Sequence, residues 1–227
     1  MKKVIVITGG SDGLGKETAA QLGVHHTVVI LSPNREKLAA AAKEIGCEYE
    51  VCDVADATQV AATFQSILLT HGRIDCLINN AGAWIEGELD ENAPDTIAHV
   101  VGVNTLGPIY ATRAVIPAMK QQGHGLIINV ITQSGLYAKP KRSVYIASKW
   151  AITGFTKSIQ SELAPYGIRV SGIYPGKMNT PMFGKLGITK DMSDALEKSE
   201  VAKAIAFLVE TPNHVMIPEF GIKHINN

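Results

Sequence analysis

Val4-Ile-Val-Ile-Thr-Gly-Gly-Ser-Asp-Gly-Leu-Gly15 decides the fold. Four consecutive β-branched residues followed by Thr8 suit a short strand buried on both faces, which is how strands of a parallel sheet read. The glycines then break the run, and Leu14–Leu22 continues with helical periodicity. A strand that passes through a glycine-rich turn into a helix lets the backbone approach a pyrophosphate. The helix N-terminus adds N–H groups and a partial positive charge. The glycine spacing is Gly9-x-x-x-Gly13-x-Gly15, which differs from the GxGxxG of other dinucleotide folds. A plain glycine-rich turn is the competing explanation. The position between a first strand and a first helix favours binding by Gly9, Ser11, Asp12, Gly13, Leu14 and Gly15.

The same alternation continues along the chain. Strands are predicted at Val4–Thr8, Thr27–Leu31, Tyr49–Cys52, Cys76–Asn79, Leu126–Ile131 and Arg169–Ile173, with a seventh at Val215–Ile217. Helices are predicted at Leu14–Leu22, Arg35–Ile45, Ala57–Thr70, a long region from Pro94 to Lys120, Ser143–Ala164 and Ser199–Glu210. Repeated βαβ units imply a doubly wound α/β Rossmann fold. Its central sheet, mostly or wholly parallel, has about seven strands flanked by helices. With 227 residues and no linker or low-complexity tract, residues 1–227 read as one domain. The segment 175–193 is rich in Gly, Pro, Met and Lys and follows a strand end, where open α/β sheets hold their ligands; it is a candidate substrate lid.

Composition excludes several functions. Hydrophobic content is 46% and charged content 19%, as in ordinary soluble globular proteins. The balance of 21 basic and 21 acidic residues argues against a general nucleic-acid partner. The apolar N-terminal run ends after Ile7, too soon for a signal peptide, and no segment has the length of a membrane span. Cys47, Cys52 and Cys76 form neither a CxxC pair nor a metal spacing, and read as small buried hydrophobes in a reducing cytoplasm. The seven histidines show no ligand spacing, so no metal is expected.

The second strand ends Leu31-Ser-Pro-Asn-Arg35, and no carboxylate precedes Glu36. An acid at this point would hold the ribose 2′-hydroxyl of NAD. Ser32, Asn34 and Arg35 suit a 2′-phosphate instead, which favours NADP over NAD, although Asp12 sets a negative charge in the phosphate loop. Further on, Tyr145 and Lys149 stand four residues apart in a helical stretch and so share one face. A nearby ammonium favours a phenolate and lowers a tyrosine pKa, making a general acid/base from a group that otherwise titrates near 10. Alone, the spacing also fits a solvated helix face.

Four motifs now stand in order: Thr8-Gly-Gly-Ser-Asp-Gly-Leu-Gly15, Asn79-Asn-Ala-Gly82, Asn104, and Tyr145-x-x-x-Lys149. Together they closely resemble the short-chain dehydrogenase/reductase family in its compact form, over the chain to about residue 210. The resemblance implies Tyr145 as general acid/base and Lys149 as the group that holds the nicotinamide ribose and lowers the tyrosine pKa. It implies that Asn104 supports a water-mediated proton relay. Asn79, Asn80, Ala81 and Gly82 would pack beside the cofactor, Asp53 with Val54 would meet the adenine, Pro175 and Gly176 would turn beside the nicotinamide, and Thr180 would contact its carboxamide. Structural alternatives compete at three of these: a helix kink at Asn104, a cap or turn at Asp53, an ordinary turn at Pro175-Gly176.

The family's serine, thirteen residues before the tyrosine, is Thr132 here. A threonine hydroxyl donates the same hydrogen bond, but its methyl restricts the rotamer. Ser134 is the competing donor, and Thr132 is preferred on register. The C-terminus lacks the glycine-rich ending of many members. Lys139-Pro-Lys-Arg142 reads as a solvated loop, against an alternative role in attracting an anionic substrate or cofactor.

The function this implies is NAD(P)-dependent interconversion of a small carbonyl compound and its alcohol by hydride transfer. Trp84, Leu136, Tyr137, Met178, Met182 and Phe183 would form a partly apolar pocket. The alternatives are a cofactor-binding regulatory or scaffold protein without turnover, for which Thr132 is the main argument, and a Rossmann-fold epimerase or dehydratase. The resemblance also implies a homodimer or homotetramer through the two long helices.

Overall fold

The computed structural model describes residues 2–180 and 191–226. Seven strands form one sheet in the order β3-β2-β1-β4-β5-β6-β7. They are β1 (Val4–Thr8), β2 (Thr27–Ser32), β3 (Glu48–Val51), β4 (Cys76–Asn79), β5 (Gly125–Val130), β6 (Ile168–Pro175) and β7 (Glu219–Ile222). Every neighbouring pair is parallel. The chain builds outward from β1 on one side and from β4 on the other, so the sheet order reverses between them. The carboxyl ends of these two strands border the crevice where open α/β sheets bind ligands.

Strand alternation divides the core in two. Ile5, Ile7, Val28, Ile30, Cys76, Ile78, Leu126 and Ile128 face α1 (Gly13–Gly23), α2 (Arg35–Ile45) and α7 (Lys198–Glu210). Val6, Val29, Leu31, Leu77, Ile127 and Val170 face α3 (Ala57–His71), α5 (Gly107–Gln122) and α6 (Ser143–Leu163). Both faces of each inner strand are covered, which is why these strands read as unbroken apolar runs.

Capping residues fix the helix starts. Asp12 Oδ1 accepts from Gly13 N at 2.7 Å, Asn34 Oδ1 from Lys37 N at 2.9 Å, and Asp56 Oδ1 from Thr58 N at 2.8 Å. Helices α2 and α3 end on Gly46 and Gly72 in the left-handed conformation.

One element differs from the sequence reading. The seventh strand is Glu219–Ile222, not Val215–Ile217. Gly172 N donates to the Pro218 carbonyl at 3.0 Å and Ser171 Oγ to Ile217 O at 2.7 Å, so the ladder with β6 begins only after Pro218. An edge strand buries one face and carries alternating residues, so the more apolar run misled. The long helical region expected from Pro94 to Lys120 is present, as α4 (Pro94–Val101) and α5 joined without a break by a π-helical segment, Gly102–Leu106, which contains Asn104. No helix among the described residues is long and apolar enough to cross a membrane.

Candidate active site

A cleft of about 900 Å³ opens at the carboxyl ends of the strands. Its phosphate-loop end is lined by Gly9, Ser11, Asp12, Gly13 and Leu14. Gly9 and Gly13 have φ of +67° and +55°, conformations that glycine adopts without strain. A Cβ on Gly15 would lie 2.3 Å from the Gly9 carbonyl oxygen and 2.4 Å from Asn80 Nδ2, so Gly15 supports the loop from behind the cleft. Asn80 braces the same turn: its Nδ2 donates to Thr8 O at 3.0 Å and Gly9 O at 3.2 Å. Thr8 Oγ1 in return accepts from Asn80 N and Ala81 N, both at 3.0 Å. The first turn of α1 has backbone N–H groups without partners inside the helix. A braced glycine turn against that terminus fits a pyrophosphate.

At the far end the cleft is lined by Leu31, Ser32, Pro33, Asp53 and Val54. Ser11 Oγ donates to Ser32 Oγ at 3.0 Å. Asp53 Oδ1 accepts from Ala55 N at 2.9 Å, tightening the turn after β3. Asn34 and Arg35 do not line the cleft. The Asn34 side chain caps α2, and Arg35 is the exposed first residue of that helix.

The middle of the cleft is formed by α6. Tyr145 and Lys149 are both buried and both line it. The Tyr145 ring stacks on Trp84, with centroids 4.3 Å apart. Burial holds the phenol well above its ordinary pKa, opposed by the positive charge of Arg142. Burial also pushes the Lys149 ammonium down to about 8. Lys149 Nζ lies 6.0 Å from the Tyr145 ring centroid and donates to the Val130 carbonyl at 3.2 Å. The two residues thus share a helix face as their spacing requires. In this environment burial, rather than the ammonium, dominates the phenol.

Asn104 sits behind this pair, 1% exposed. Its Oδ1 accepts from Ala83 N at 2.8 Å, while Nδ2 donates to Ala83 O at 2.9 Å and to Ser148 Oγ at 3.0 Å. Ser148 Oγ donates to the Tyr145 carbonyl at 2.6 Å. Asn104 therefore ties the strand-β4 loop to α6 through side-chain bonds and does not itself line the cleft. Ser148, next to Lys149, was not singled out from the sequence; a small polar residue on the buried face of an apolar helix was the available signal.

Thr132 lines the cleft at the end of β5 with φ of +130°, a conformation that is costly for a β-branched residue. Its Oγ1 donates to the Pro175 carbonyl at 3.2 Å and accepts from Ser134 N at 3.4 Å. Ser134, Pro175, Gly176 and Thr180 line the same region. Residues 181–190, which include Met182 and Phe183 and most of the candidate lid, lie outside the described residues. The flanks are joined: Asn179 N donates to Leu196 O at 2.9 Å, Leu196 N to Lys177 O at 2.9 Å, and Lys177 pairs with Asp194. His99, Gln133, Lys139, Arg142 and Lys177 also face the cleft, and the sequence reading gave them no binding role beyond the basic run.

The family model described as short chain dehydrogenase matches residues 3–191. The chain is 32% identical over 235 residues to carbonyl reductase family member 4 of Xenopus tropicalis, covering 98% of this chain and 99% of that protein. Among solved structures it resembles an alcohol dehydrogenase of the archaeon Thermococcus sibiricus complexed with 5-hydroxy-NADP. The TM-score is 0.91 at 26% identity, over 100% of this chain and 98% of the other. It also resembles a metagenomic short-chain oxidoreductase in complex with NADP. Here the TM-score is 0.84 at 32% identity, over 97% and 96% of the two chains. With the braced glycine turn, the all-parallel sheet and the Tyr145–Lys149 face, these matches show that the chain belongs to the short-chain dehydrogenase family of NAD(P)-dependent oxidoreductases.

Proposed function

We propose that this protein reduces a small carbonyl compound to its alcohol, and runs the reverse reaction, with Tyr145 as the general acid/base and NADP as the preferred cofactor. The observation that carries the proposal is the buried Tyr145 phenol and Lys149 ammonium lining one cleft with the glycine turn. When bound, the nicotinamide supplies or accepts the hydride. The protein supplies position and a proton.

The Tyr145 phenol is protonated at neutral pH, the state a proton donor needs; burial raises its pKa, and the charge of Lys149 is what would draw it back down during transfer. Trp84 fixes the ring plane on one side. Thr132 leaves the Pro175 carbonyl and donates its hydroxyl to the substrate oxygen beside Tyr145. Lys149, turning from the Val130 carbonyl, holds the ribose and stabilises the phenolate left after proton transfer. Asn104 is a positioning residue: with its amide saturated by Ala83 and Ser148, it sets α6 against the strand-β4 loop.

The NADP preference rests on the end of β2. Ser32 and Ser11 offer hydroxyls there, no carboxylate stands in their place, and Arg35 begins the adjacent helix. The solved relatives named above hold NADP or a derivative of it, which supports the same choice. The test is NADPH oxidation across a panel of ketones and aldehydes with the wild-type protein and Tyr145→Phe. Turnover by the wild type and its loss in the variant support the proposal; no turnover with any carbonyl, or equal turnover by both, overturns it.

A further inference from the structure

The basic loop before α6 is not explained by proton or hydride transfer. Lys139 and Arg142 both line the cleft, and Arg142 lies against Trp84. The charges around them are unevenly matched. Arg142 donates from Nε and Nη2 to Glu86 Oε1 at 3.1 and 3.0 Å, and Lys141 pairs with Glu88 at 3.2 Å. Lys177, across the cleft, pairs with Asp194. Among the described residues Lys139 alone of these loop cations has no carboxylate within ion-pair distance.

Arg142 is thus matched by Glu86, while Lys139 lines the cleft without a carboxylate partner among the described residues. Asp191 also lines the cleft, on the Lys177 side. A carboxylate is the ligand group complementary to Lys139. Beside Tyr145 stands an aromatic surface: the Arg142 guanidinium lies 5.1 Å from the Trp84 ring, which also packs on the Tyr145 ring. Tyr137, on the same loop, also lines the cleft. A ligand that reaches from the phenol past Trp84 toward this loop meets an apolar ring and then the cations of the loop.

We propose that the substrate is a keto acid: a carbonyl carbon at Tyr145, an apolar spacer along Trp84, and a distal carboxylate held by Lys139 with Arg142. This rests on the carbonyl reduction proposed above and adds the substrate class to it. Lys139 is the residue to alter, because Arg142 also acts on the Tyr145 phenol.

The experiment measures kcat/KM with NADPH for keto acids of increasing chain length and for their methyl esters. One chain length should favour the acid over its ester by about fivefold to tenfold, mainly through KM, as a charge-assisted contact in a partly exposed cleft does. Lys139→Gln should bring that ratio to about one, Lys139→Arg should retain it, and Lys139→Glu should invert it. High salt should erode the wild-type preference. Esters reduced as well as acids at every length, or a preference unchanged in Lys139→Gln, overturn the keto-acid assignment alone. Neither acids, esters nor simple ketones being reduced overturns the carbonyl-reductase proposal and this inference with it.

Discussion

The rings of Trp84 and Tyr145 lie 4.3 Å apart, inclined by 53°, and Trp84 is in turn covered by the Arg142 guanidinium. A tilted aromatic pair of this kind is worth roughly 0.5–1.5 kcal/mol beyond the area it buries. Here it fixes the plane of the proposed proton donor. Trp84→Ala should lower kcat by up to about tenfold, the rate equivalent of that pair energy. Trp84→Phe should keep most of the activity. Both should bind NADPH with unchanged affinity, since Trp84 packs on Tyr145 and Arg142; steady-state kinetics and a cofactor titration check this.

Lys149 is proposed as a functional residue at a cost to stability. Below about 8 its ammonium is charged in the folded and unfolded chains alike, and the full penalty of burial is felt. Between about 8 and 10.5 the folded protein releases this proton before the unfolded chain does, so stability gains as pH rises. Lys149→Met should therefore be inactive yet more stable at neutral pH, by an order of about 3 kcal/mol. Its advantage over the wild type should shrink through that window. Comparing the two proteins by denaturant unfolding at several pH values cancels the titration of Tyr145.

Thr132 carries the positive φ and donates to the Pro175 carbonyl. Thr132→Ala should cost about 100-fold in kcat, the scale of losing one donor to a developing oxyanion. Thr132→Ser should retain most of the activity, because the hydroxyl stays and the methyl goes. Ser134→Ala should stay near wild type. The reverse ranking would assign the donor to Ser134.

The cofactor preference is tested at Arg35. Arg35, exposed beside the cleft, would turn its side chain to a bound 2′-phosphate, so Arg35→Ala should weaken NADPH binding by about tenfold, the loss of a charged hydrogen bond, while NADH binding changes little. Fluorescence titration with both nucleotides measures the difference. Equal losses would remove Arg35 from the argument.

Much of this architecture was legible in the residues. The inner strands, buried on both faces, announce themselves as β-branched runs, and Gly9-Gly13-Gly15 marks the first crossover. The edge strand was not legible in the same way, because Glu219-Phe-Gly-Ile222 has weaker apolar character than Val215-Met-Ile217. At the site, sequence spacing placed Tyr145 and Lys149 on one face. It could not weigh burial against charge, and burial dominates the Tyr145 phenol. Nor could it distinguish an asparagine that caps a helix, as Asn34 does, from one that faces a ligand, since both roles use the same side-chain oxygen at a strand end. The Asn104–Ala83–Ser148 bonds needed the fold, for they join segments that are distant in sequence.

Tyr145→Phe removes one oxygen atom and keeps the ring that Trp84 packs against. This variant should bind NADPH as the wild type does and lose carbonyl reduction by about 100-fold or more, the scale of general acid catalysis. Wild-type turnover in Tyr145→Phe, with a carbonyl the parent protein reduces, would contradict the proton-donor role of Tyr145.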